Sequence, residues 1–240
     1  MKVERYSYPC PTPSAARGIF EAIYFKPEFY WQVTRIEILT PPSLIALRRN
    51  EVKEKISDKA VQKWMSGKEE VEPIWADASG EDFKGRTQRQ TIALRNPHFR
   101  LTARIVPRPG RESKQRAADE QFIRRASQGK CFAQPCLGCR EFVAFFRYIK
   151  TVDENEPKPC EYSQKLGWML YDVFDLHDDN HSKTVVRKGE DECERKPNGW
   201  QDVRSSIAVF EAEIVHGVLD IPAFDDDRVR KPGMRDRRAG

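Results

Sequence analysis

Apolar residues near the start of the chain recur at Ala16, Ile19, Phe20 and Ile23, the i, i+3, i+4, i+7 spacing of one helix face. Thr12 can cap that helix, Pro13 can open it and Pro27 stops it. The period then changes from that of a helix to that of a strand. "WQVTRIEIL" (31–39) and "SLIALRR" (43–49) are rich in β-branched and aromatic residues and predict two strands. Residues 50–84 are polar and interrupted by Gly67, Gly80 and Gly85, so an insertion with one short helix at 61–65 is expected. Order returns at "RTQRQTIALRNPHFRLTARIVP". There Phe99, Leu101, Ala103 and Ile105 alternate with Arg100, Thr102 and Arg104, predicting a half-buried strand with an arginine-bearing outer face.

Beyond a basic loop at 108–116, "AADEQFIRRASQG" predicts a helix whose Gly129 suits the left-handed position after its end. The apolar run "KCFAQPCLGCREFVAFFRYI" predicts a core strand after a turn at 135–138. "WMLYDVFDL", "KTVVRK" and "SIAVFEAEIVHGVLDIP" predict a small antiparallel sheet, and the polar tail 225–240 is expected to lack structure. The expectation is an α+β fold: a ferredoxin-like body of the RNA-recognition type over 1–150, a β-rich domain over 151–224, then the tail. Its first strand is missing or reduced to "MKVERYSYP".

Composition narrows this picture. No run approaches the ~20 apolar residues of a membrane span and "MKVERYSYPC" lacks the apolar core of a signal peptide, so the expected location is cytoplasmic, away from membranes. Six cysteines without an export signal read as free thiols. Cys131-x4-Cys136-x2-Cys139 is half of a zinc pattern that His177 and His181 could complete, but small buried hydrophobes are the preferred reading. The net charge of +5 is unevenly spread. Residues 84–130 hold thirteen Lys/Arg against three acids, +10, and the rest sums to −5. Such a concentration of arginine points to a phosphate-bearing polymer.

Tyr24 falls about 90° from the centre of the first helix's apolar face, with Arg17 within about 20° of the same stripe. Both would border one groove. "CPTPSAARGIFEAIYFKP" resembles the opening of the type I-C (Dvulg subtype) CRISPR-associated endoribonucleases, the fifth family of Cas proteins within the RAMP superfamily. "IALRRNEV", "GRTQRQTIALR" and "FIRRASQGKCFAQPCLGCREF" extend the likeness over roughly residues 3–145.

The resemblance implies a RAMP body that cuts precursor CRISPR RNA in its repeat hairpin without metal or cofactor. The ribose 2′-OH attacks the adjacent phosphate, leaving a 2′,3′-cyclic phosphate and a 5′-OH. The enzyme stays with other subunits of the antiviral surveillance complex. The family's catalytic tyrosine falls on Tyr24. Its Lys-His pair falls on Ala117 and Ala118, so Lys114 or Arg116 of the preceding loop is expected to supply the charge, with Arg17 or Arg116 favouring the Tyr24 phenolate. Arg17, Lys26, Arg48, Arg49, Arg86, Arg89, Arg124 and Arg125 are the candidates for holding RNA. The absent Lys-His pair keeps a second reading open, a non-catalytic subunit gripping the RNA 5′ handle, and the same arginines would also suit duplex DNA. The family also carries about twenty further residues ahead of this helix, so a late start or a trimmed chain is a further expectation.

Overall fold

The computed structural model describes residues 4–52, 56–71, 86–173, 176 and 207–231. The strand expected at "KTVVRK", the residues His177, His181 and Cys193, and the tail beyond 231 lie outside them. Contacts divide the chain into two compact units, Met1–Pro9 with Pro42–Pro97, and Cys10–Pro41 with His98–Gly240.

In the first unit, β1 (Glu4–Tyr6), β4 (Arg86–Leu94) and β3 (Leu44–Val52) form a three-stranded sheet in that order. β3 and β4 pair antiparallel from Leu44↔Leu94 to Val52↔Arg86, while β1 runs parallel to β4. The short opening strand is therefore present. α2 (Asp58–Met65) is capped by Ser57, whose hydroxyl accepts from the Ala60 amide at 3.2 Å. It covers the helix expected at 61–65.

In the second unit α1 (Pro13–Ile23) begins as predicted, with the Thr12 hydroxyl accepting from the Ala15 amide at 3.3 Å and proline in the first turn. β2 (Phe29–Ile38) pairs antiparallel with β5 (Phe99–Pro107). α3 (Gln115–Ser127) follows a single 3₁₀ turn at Glu112–Lys114, and Gly129 takes the left-handed conformation (φ 66°) expected after its end. β6 (Gln164–Asp172), β7 (Ala208–Ile214) and β9 (Val229–Arg230) form another sheet.

Four expectations need correction. The boundary at 150 is not a unit boundary. β8 (Val218–Asp220) leaves the C-terminal strands to pair with β2, and one core joins Ala16, Tyr30 and Ile36 to Met169, Phe210 and Leu219. The polar stretch after 225 holds β9, whose Val229 is fully buried against β7. The run at 131–150 forms no strand beyond an isolated Cys136↔Val143 bridge. Pro135 lacks a donor and Gly138 sits at φ 81°, which together break the ladder. Its cysteines, with Phe132, were expected in the core, yet Cys139 is exposed and Phe132 is 88% exposed. Finally, the outer face of β5 is only partly arginine-bearing, since Arg100 is buried against Glu37 at 3.1 Å. No helix among the described residues is long and apolar enough to cross a membrane.

Candidate active site

The C-terminal end of α1 is built by the residues that satisfy its last carbonyls. A helix leaves about four such groups unpaired at that end. Arg125 Nε donates to Ile23 O at 2.8 Å, and the amides of Phe132 and Ala133 donate to Ala22 O at 2.7 and 3.1 Å. Tyr24 is the C-cap, with extended backbone, and its own carbonyl accepts from Trp31 Nε1 at 2.8 Å. Its ring stands 5.5 Å from that of Phe29, on the edge of an aromatic cluster of Phe20, Phe29, Trp31 and Phe122. The backbone at Tyr24 is therefore fixed, and its ring is half-buried.

The charges around that phenol differ from those expected. Partial burial raises the Tyr24 pKa, the Glu28 carboxylate raises it further and Arg125 opposes them. Tyr24 is thus a neutral phenol at neutral pH. Glu28 in turn holds Lys114 Nζ in a close ion pair. That hydrogen bond holds Glu28 below the usual carboxylate range, helped by the charges of Lys114, Arg111 and Lys26. Backbone bonds fix the meeting point: Arg108 N donates to Glu28 O at 2.9 Å and Arg108 Nε to Pro27 O at 3.1 Å, joining the loop after α1 to the one before α3. Glu28 thus links two of the sequence-predicted residues, pairing with Lys114 and acting through its charge on Tyr24.

Arg116 is not part of that group. It is 91% exposed on the first turn of α3 and pairs with Glu120 one turn along at 2.9 Å. Arg17 is also misplaced by the sequence reading. Its guanidinium is buried and forks onto Asp172, Nε to Oδ2 at 2.7 Å and Nη2 to Oδ1 at 3.1 Å, with Glu21 on its third nitrogen. Burial alone would pull its pKa down, but the two carboxylates outweigh it and raise it. A buried arginine shared by two carboxylates is not presented to RNA, nor does it act on Tyr24. Its neighbour in role is Arg125.

Lys26 and Arg124 are exposed beside the end of α1 and on α3. Arg48, Arg49, Arg86 and Arg89 belong to the other unit, on the β3–β4 pair. There Arg49 lies opposite Arg89, and Glu51 bridges Arg89 and Arg5 at 3.1 Å each. Two residues of this site escaped the sequence reading. Glu28 is a lone acid just after Pro27 that no run or spacing marks, and Arg111 stood out only as one cation of the basic loop at 108–116.

The cavity of about 390 Å³ beside Glu37, Arg100 and residues 152–159 includes none of these groups and is lined by four acids, the wrong sign for phosphate. No cluster of metal-ligating side chains occurs among the described residues.

Comparison with solved structures supports the fold. The fold resembles a crystal structure of a CRISPR-associated protein, TM-score 0.50 at 15% identity over 94% of this chain and 87% of that one. It also resembles a functionally uncharacterized protein of Streptococcus mutans, TM-score 0.52 at 13% identity over 93% and 87%. This is the α+β, RAMP-type architecture that was expected. Residues 1–205 match the family profile Cas_Cas5d, described as "CRISPR-associated protein (Cas_Cas5)", and the chain belongs to that family. Among curated relatives, the CRISPR pre-crRNA endoribonuclease Cas5d of Mannheimia succiniciproducens is 35% identical over 96% of this chain and 91% of its own length. The protein of the same name from Thermus thermophilus is 34% identical over 92% and 84%.

Proposed function

We propose that this chain is an endoribonuclease of precursor CRISPR RNA, cutting within the repeat hairpin and remaining in the type I-C surveillance complex. The relatives' names support the activity and the substrate. The observation that carries the chemistry is the Glu28–Lys114 ion pair, whose carboxylate also acts through its charge on Tyr24. RNA brings its own nucleophile, so the protein has to move one proton off the 2′-OH, stabilise the phosphorane and return a proton to the departing oxygen.

In this reading the incoming phosphate competes with Glu28 for Lys114. Losing its cation returns Glu28 toward the ordinary carboxylate range, where it is a better base. Glu28 then takes the 2′-OH proton as O2′ bonds to phosphorus. Tyr24, kept neutral, donates a hydrogen bond to a non-bridging oxygen. Lys114 faces the added negative charge and delivers a proton to O5′ as the P–O5′ bond breaks. The products are a 2′,3′-cyclic phosphate and a 5′-OH, and no step calls on a metal. Lys26, Arg111, Arg124 and Arg125 supply positive charge along the strand, while Arg116 contributes to the outer rim. The β3–β4 arginines remain candidates for contacts elsewhere on the RNA or with duplex DNA.

One observation favours the binding-only reading. Ala117 and Ala118 occupy the family's Lys-His columns inside α3, with Ala118 buried under the aromatic cluster, so no imidazole stands there. Incubation with repeat RNA in excess EDTA separates the two. A single discrete cut carrying a cyclic-phosphate end supports cleavage. RNA that is bound tightly but left intact leaves a handle-binding subunit, and a cut abolished by chelation overturns the metal-free route. Competition by duplex DNA tests the DNA contact, at matched salt because backbone binding is steeply salt-dependent.

A further inference from the structure

The most exposed aromatic rings in the described residues belong to one loop. Phe145 is 92% and Phe132 is 88% exposed, well beyond Tyr6 at 74%. Neither is on a freely moving tip. The backbone of Phe132 is fixed to the end of α1 by the amide bonds of residues 132 and 133 to Ala22 O. Lys130 N donates to Arg125 O at 2.9 Å, so the segment is pinned on both sides of Cys131. The stretch carrying Phe145 is tied to the same segment, since Ala144 N donates to Pro135 O at 2.9 Å and Gln134 Nε2 donates to Ala144 O at 3.0 Å. Two bare rings thus flank a small cross-linked loop rooted two residues from Tyr24.

A phenylalanine usually buries most of its ring, because apolar area in water is unfavourable. Two of them set in solvent on a tied-down backbone point to an occupant, and the surrounding charge says which. Residues 124–147 carry Arg124, Arg125, Lys130, Arg140 and Arg147 against a single acid, Glu141. Pinned aromatic rings interleaved with cations are what single-stranded nucleic acid requires, a π-face for the base and positive charge for its phosphate. A rigid duplex keeps its bases stacked inside, so the occupant is an unpaired nucleotide.

We infer that Phe132 and Phe145 form a base-stacking platform for unpaired nucleotides flanking the repeat hairpin, next to the Tyr24 end of α1. This rests on the RNA-processing reading and deepens it, giving the site a way to hold the strand as it leaves the hairpin. Stacking there would fix the position of the cut relative to the hairpin base rather than take part in the bond exchange.

The test uses a repeat RNA with a 2′-deoxy nucleotide at the cut and 2-aminopurine at the unpaired positions beside the hairpin, whose fluorescence is quenched on stacking. The wild-type chain should quench it. Phe132→Ala and Phe145→Ala should each weaken binding about tenfold and relieve the quench, since one stacked base contributes ~1–3 kcal/mol and ~1.4 kcal/mol is tenfold. Phe132→Trp should restore both, and Phe132→Leu, apolar but without a π-face, should restore neither. Both sites are solvent-facing, so unchanged melting temperatures are expected and identify any variant that has lost its fold. Alanine variants that bind and quench like wild type overturn the platform, as does full rescue by leucine. So does a double variant that keeps its RNA affinity but no longer joins its protein complex, which would make the rings a protein contact. A wild-type chain that binds no repeat RNA removes the processing reading and the platform together, whereas binding that is indifferent to both rings removes only the platform.

Discussion

Tyr24 is poised as a hydrogen-bond donor, because burial and the Glu28 carboxylate both resist its ionisation. In the proposed reaction the base is therefore another group, Glu28, which is in contact with Lys114. Glu28→Gln should therefore slow cutting by about 100-fold or more, the scale of general base catalysis, without weakening RNA binding. The pH dependence follows in sign. The folded pKa of Glu28 lies below its unfolded value, so the stability its ion pair contributes is present above the unfolded pKa and is lost as pH falls through the folded one. Lys114 has to be protonated to serve its role. Cutting should accordingly stay level between about pH 6 and about pH 8, and an inflection near ~6.5 would point to a histidine instead. Tyr24 was legible because a family pattern ends on it. Glu28 was not: an isolated acid among cations looks like a solvated neighbour until the chain brings Lys114 to it from 86 residues away.

At the scale of elements, α1 is anchored by its polar side as well as its apolar one. Arg17 links it to Asp172 at the end of β6, a pairing across 155 residues that periodicity cannot reveal. The amphipathic pattern placed Arg17 on the edge of the apolar face, and edge positions read as solvent contacts. Arg17→Ala should destabilise the fold by about 3–5 kcal/mol in denaturant titration, because it strands a buried carboxylate. Any loss of RNA binding should track that loss of folded protein rather than a steeper salt dependence. The turn between β7 and β8 is equally constrained. Gly217 sits at φ 74°, and an added Cβ would lie 2.4 Å from the Cys160 carbonyl oxygen. Gly217→Ala should cost about 1–3 kcal/mol in thermal unfolding and loosen β8 from β2.

For the molecule as a whole, the sequence was readable wherever contacts are local. α1, β2, β3, α3 and their caps follow from spacing and from Thr12, Pro13 and Gly129. It was opaque wherever a segment's partner is distant or a loop carries apolar residues for a ligand. β8 pairs with β2 rather than its sequence neighbours, which merges the C-terminal third into the main core. The loop at 130–146 has the composition of a strand and the rings of a surface site. The basic excess between 84 and 130 was also overread as surface. Arg100 and Arg108 are buried, and Arg89, Lys114 and Arg116 already face carboxylates.

The proposed site depends most directly on Lys114, which pairs with Glu28 where the loop after α1 meets the one before α3. Single-turnover cutting of repeat RNA by Lys114→Ala, with RNA affinity measured in parallel, tests it. The expected result is a rate at least about 100-fold below wild type, the scale on which an electrostatic stabiliser acts, with affinity changed far less. A Lys114→Ala protein that cuts at the wild-type rate, or whose rate falls only as its affinity does, would contradict a site built on Tyr24, Glu28 and Lys114.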